Sequence, residues 1–245
     1  MHEVLVGLLG GALIGATGVG SGSFLTPLLI LAGYRPTVAV ATGLATLIVS
    51  KLTGSIAHRT AGNWPPLRHV GVVVSGGVIG VLAVALLART GLAPSELFIR
   101  RAVALSLFAT SISVWFRFQP AQRAGAADRP DPRALFVSGG IVGGFVMLTS
   151  AGSGSLLVPL LVTITAWGVP QLAATSNLFG WVAAVLSFAF HYGQHAFDPA
   201  LFLLVLAGLV PGVIAGVFLS PWIERRSFTP ALSLFTLVLA LQLIR

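Results

Sequence analysis

Serine hydroxyls and glycine backbone groups alternate at Gly20-Ser21-Gly22-Ser23 and again at Gly152-Ser153-Gly154-Ser155, each time ahead of an apolar run. The wider text reads GSGSFLTPLL at 20–29 and GSGSLLVPLL at 152–161. Over 18–29 against 150–161, eight of twelve positions are identical at an offset of 132. Each loop precedes a helical stretch, so the N–H groups of Ser21, Gly22, Ser23 and Phe24, and of Ser153, Gly154, Ser155 and Leu156, are expected to lack intrahelical partners. Added to the partial positive charge of a helix start, such donors make an anion site. A kink permitted by glycine and capped by serine would use the same residues. The matched second copy is what favours binding.

More polar residues follow each loop. In 37–58, Lys51, Ser55 and His58 share one helical face, with Thr42, Thr46 and Thr53 on neighbouring faces. In 171–191, Asn177, Gly180, Ala184, Ser187 and His191 line a comparable face, preceded by Thr175 and Ser176. At an offset of 133, Thr42 matches Thr175, His58 matches His191 and Pro66 matches Pro199, while Lys51 aligns with Ala184. A lysine at a membrane-helix centre costs about 2.5–3.5 kcal/mol. Lys51 is seven residues from His58, about 10 Å along a helix, so it either snorkels to the interface or serves as counter-charge for an anion. His58 and His191 end their helices, where they serve the helix dipole or a matched gating or proton-linked role. His69 and His195 read as loop residues. All six acidic residues (Glu3, Glu96, Asp128, Asp131, Asp198, Glu224) fall in termini, loops or a linker. Cation pathways and carboxylate relays need acids inside the bundle. A small anion is the expected substrate, with no cofactor or metal.

The elements that must position these groups are membrane helices. The 245 residues are 56% hydrophobic and 8% charged, with a mean hydropathy of +0.98; soluble domains carry about 25% charged residues. Runs 70–88 and 199–219 have no charge and the length of a bilayer-crossing helix. Their unalternating pattern excludes barrel strands. Apolar segments fall at about 4–17, 23–33, 37–58, 69–88 and 99–117, then at 134–149, 155–167, 171–191, 199–219 and 228–244. Between the two sets, FQPAQRAGAADRPDPR (118–133) reads as a polar linker. The expected fold is an all-α membrane protein of two repeats, 1–118 and 134–245, joined by 119–133. Each repeat has about four helices and opens with a broken or re-entrant helix pair, the first two segments being too short to span comfortably. Gly76 and Gly80 match Gly212 and Gly216, small residues for close helix packing.

Thirteen Arg and one Lys give a formal charge of +8 and a pI of 11.7. They sit between apolar spans, which points to membrane topology rather than nucleic acid. If each broken pair returns the chain to its starting side, the repeats are inverted and the arginines divide eight to five; a parallel arrangement divides them seven to six. Inverted repeats with the linker in the cytoplasm are the expectation. MHEVLVGLLGGALIGATG lacks a basic n-region and reads as mature protein rather than a signal peptide. Cysteine is absent, which removes disulfides and thiolate chemistry.

The duplicated G-S-G-S-(F/L)-L-x-P motif, the following Ala41-Thr42-Gly43 and Ala174-Thr175-Ser176, and His58-Arg59-Thr60-Ala61-Gly62-Asn63 resemble the sulfite exporter TauE/SafE family of bacterial-type membrane transporters, also called the four-toluene-sulfonate uptake group. The resemblance covers nearly the whole chain. It implies a multi-pass plasma- or inner-membrane protein moving sulfite, sulfonates, sulfoacetate or thiosulfate-like anions. Two departures stand out. The family loop is often triple-glycine where this chain has Gly-Ser-Gly-Ser, and His195-Ala196 replaces Gly62-Asn63 in the second half.

The expected function is therefore a secondary anion transporter that binds substrate between the repeats and alternates access. An anion channel is the alternative. A rhomboid-type serine hydrolase, pairing a loop serine with His191, gives no reason for two matched sites. Partners are the anion and the lipid bilayer, and the sequence leaves monomer and homodimer both open.

Overall fold

The computed structural model describes residues 2–17, 20–90, 94–117, 130–219 and 225–244. Most of the expected linker, Gly18-Val19, Asp128 and Glu224 lie outside the described residues. In the described residues the chain forms α1 (His2–Thr17), a 3₁₀ turn (Ser21–Ser23), α2 (Leu25–Leu31), α3 (Pro36–Thr60), α4 (Leu67–Arg89) and α5 (Glu96–Arg117). The second half supplies α6 (Pro132–Thr149), α7 (Leu157–Ile164), α8 (Val169–Gly193), α9 (Pro199–Leu219) and α10 (Arg225–Ile244). Local chemistry sets the helix starts. Pro36, Pro132 and Pro170 occupy first-turn positions, where no N–H is needed. Asp131 accepts from the Arg133 N–H at 2.9 Å, and Asp198 from the N–H groups of Ala200 and Leu201 at 2.9 and 3.1 Å.

Helices α3, α4, α6, α8 and α9 are long and apolar enough to cross a membrane. In α6 this departs from the expectation that the opening segments are too short: its 18 residues reach about 27 Å at 1.5 Å per residue. The segments α2 and α7, of seven and eight residues, are short as expected. After α2 the Tyr34 hydroxyl donates to Glu3 Oε1 at 2.8 Å, so the chain has returned to the end at which α1 began.

Glycine stripes set the helix pairing. A side chain on Gly76 or Gly80 of α4 would fall on the carbonyls of Phe136 and Gly140 in α6. One on Gly212 or Gly216 of α9 would fall on those of Leu8 and Ala12 in α1. Both registers rise together, so α4 runs parallel to α6 and α1 to α9. Between apolar helices in lipid there is little hydrophobic drive, and close backbone packing supplies the attraction instead.

The central pair, α3 and α8, is antiparallel. Gly54 of α3 faces Asn177 of α8, and Gly180 faces Lys51. The two ends agree. Trp167, just before α8, lies beside His69 near the end of α3, with ring centroids 6.3 Å apart and planes tilted by 46°. Fully buried Leu25, Leu29, Leu44, Leu47, Leu157, Leu161 and Phe179 fill the space around this pair.

Candidate functional site

The two Gly-Ser loops meet at the centre of the molecule. A β-carbon on Gly22 would sit on the backbone carbonyl of Ser150, so only glycine permits this approach. Gly152 holds a φ of +112°, a conformation that side chains resist. Between the loops lies a narrow crevice with no room for a water molecule, lined by Gly20, Gly22, Ser23, Leu47 and residues 150–154. The two breaks thus share one space.

Three expected donors are already used. The N–H groups of Ser23 and Phe24 donate to the carbonyls of Gly20 and Ser21 at 3.1 and 3.2 Å, and that of Leu156 to Gly152 at 2.9 Å. The tight turn that brings the loops together consumes these groups. The N–H groups of Ser21, Gly22, Ser153 and Gly154 lie outside these turn bonds.

Lys51 does not snorkel. It is 7% exposed, and its Nζ donates to Asn177 Oδ1 at 3.1 Å. The same Nζ lies 3.9 Å from where a β-carbon would stand on Gly20 and on Gly154. The ammonium therefore stands beside both loops, anchored to α8, behind the residues that line the crevice. Gly180 makes room for its aliphatic stem.

The remaining candidates divide. Ser21 is buried and accepts from Thr46 Oγ1 at 3.2 Å. Ser176 donates to the Ser153 carbonyl at 2.7 Å, fastening the second loop to α8. Ser155 is buried one residue beyond the crevice lining. Thr42 is fully buried on α3 with no hydrogen-bond partner for Oγ1 among the described residues, and it does not line the crevice. Thr175 donates to Gln171 of its own helix at 2.9 Å. The histidines are kept apart. His58 Nδ1 accepts from Asn63 at 3.4 Å, whereas His191 Nε2 donates to the Met147 carbonyl at 3.1 Å. Their partners differ because Asn63 has Ala196 as its counterpart. His69 lies in the first turn of α4 rather than in a loop.

Sequence reasoning missed Thr26 and Ser150. Their hydroxyls are 2.6 Å apart across the two halves, and both residues are fully buried. Ser150 takes a left-handed φ of +59° after the last turn of α6. Gly43 packs against both hydroxyl groups, which explains the glycine after Thr42. The available signal was that Ser150 and Thr26 are two of the four positions at which the motifs differ, against Gly18 and Val158.

A profile described as sulfite exporter TauE/SafE matches residues 4–243. The chain is also similar to the "Probable membrane transporter protein YjnA" of Bacillus subtilis (strain 168), at 30% identity over 253 residues, covering 98% of each chain. With several apolar spans it is a multi-pass membrane transporter and not an enzyme. The chain belongs to the sulfite exporter TauE/SafE family.

Proposed function

We propose that this protein is a secondary carrier of small sulfur-containing oxyanions such as sulfite or short sulfonates, which bind between the two Gly-Ser loops. The observation that carries the reading is the buried Lys51 ammonium placed beside Gly20 and Gly154 and held by Asn177. A cation at that depth costs several kcal/mol, and a bound anion offsets the cost. Loop N–H groups and serine hydroxyls would complete the oxyanion's coordination.

Alternating access follows from two inverted repeats, 1–118 and 134–245, joined by the linker 119–133. Three relationships support that arrangement. The contact of α1 with α9 has its counterpart in that of α6 with α4. The matching helices α3 and α8 run antiparallel. Tyr34 and Trp167, equivalent at an offset of 133, stand at opposite ends of that central pair. Rocking of one repeat against the other would open the crevice to each side in turn. His58 and His191 close opposite ends of α3 and α8 and are the gating positions in this scheme. The tightness of the crevice supports a carrier over an open channel.

Reconstituted vesicles test the reading directly. Labelled sulfite and methanesulfonate should enter saturably, and unlabelled anion inside should accelerate entry. Uptake no greater than in protein-free vesicles for every sulfur oxyanion would overturn it.

A further inference from the structure

We infer that the crevice selects singly charged oxyanions over doubly charged ones, so that a sulfonate is favoured over a dianion of similar size. The inference rests on the proposed substrate site and adds the charge of its occupant.

Lys51 is the buried Lys or Arg among the described residues, and the duplication does not repeat it. Its counterpart Ala184 is fully buried and neutral. The position in α3 equivalent to Asn177 is Leu44, so the polar anchor is also present in one half only. Among the described residues the site therefore offers one formal positive charge, although its backbone is built twice.

Helix ends do not supply a second charge. Each broken pair brings a helix C-terminus and a helix N-terminus to the same place: α1 and α2 in one half, α6 and α7 in the other. A helix contributes roughly half a positive charge at its start and half a negative charge at its end. The two contributions offset one another at each break. Loop N–H groups can hydrogen-bond an oxyanion, and the buried charged side chain beside them among the described residues is Lys51.

Desolvation makes this single charge decisive. The Born cost of removing an ion from water grows with the square of its charge, so a dianion costs about four times as much as a monoanion of equal radius. One ammonium offsets one negative charge. The second remains uncompensated in a buried site, where unpaired charge is expensive.

Calorimetric titration of the purified full-length protein, at matched pH and ionic strength, compares methanesulfonate with sulfate. Methanesulfonate should bind more tightly by about tenfold or more. Lys51→Met should reduce that binding by at least the same factor. Ala184→Lys places a second amine at the equivalent position and should move the preference toward sulfate. Equal or tighter sulfate binding by the unmodified protein overturns the inference while leaving the anion site standing. Binding of neither probe overturns both. If Ala184→Lys fails to fold, the ratio measured on the unmodified protein still decides.

Discussion

Lys51 on α3 reaches across the molecule to Asn177 on α8, with Nζ 3.1 Å from Oδ1. The bond joins the halves beside both Gly-Ser loops, so the residue that carries the charge also ties the central helices together. Binding and packing are linked at this point.

Lys51→Met should lower anion uptake by about ten- to a hundredfold, the range expected for loss of a charge-assisted hydrogen bond. Vesicle uptake checks this, with elution of the detergent-solubilised protein as the folding control. Unchanged uptake would remove the lysine from the site.

Gly22→Ala should prevent the loops from closing, because its methyl group meets the Ser150 carbonyl. The cost is about 1–3 kcal/mol if the backbone yields, read as a lower melting temperature and lost transport. Gly71→Ala is the control: no atom lies within 4 Å of its added methyl, and the site is helical. It should be neutral or slightly stabilising.

Ser150→Ala and Ser150→Gly separate the hydroxyl from the backbone. Both lose the 2.6 Å bond to Thr26, worth about 1–3 kcal/mol when a buried partner is left behind. Glycine accepts the φ of +59° more readily, so Ser150→Gly should melt at the higher temperature of the two. The reverse order would mean that the left-handed turn is not what costs.

Gly80→Leu and Gly212→Leu should destabilise to a similar extent, since each drives a side chain into the backbone of a parallel neighbour, α6 or α1. Melting in detergent measures both. A large loss at one and none at the other would count against equivalence of the two helix pairs.

A chain without cysteine suits single-cysteine labelling. Cysteines at Tyr34 and Asp198 should label from one face of the membrane, and a cysteine at Asn63 from the other. Labelling of the Asp198 cysteine from the same face as the Asn63 cysteine would overturn the inverted arrangement.

Membrane location, the all-helical class and the duplicated Gly-Ser motif were legible in the sequence. Bilayer insertion is decided by summed hydropathy, and a duplication survives as identical letters. The glycine stripes were legible for the same reason, since close helix packing demands small residues at fixed spacing. What depended on the third dimension was less visible. Lys51 could snorkel or face inward until Asn177, 126 residues away, was seen to hold it. The Thr26–Ser150 bond spans 124 residues and leaves no periodic signal. Three of the donors assigned to an anion are spent on the turns that bring the loops together. Local chemistry determined which groups are available; only the crossing of α3 and α8 decided which of them meet.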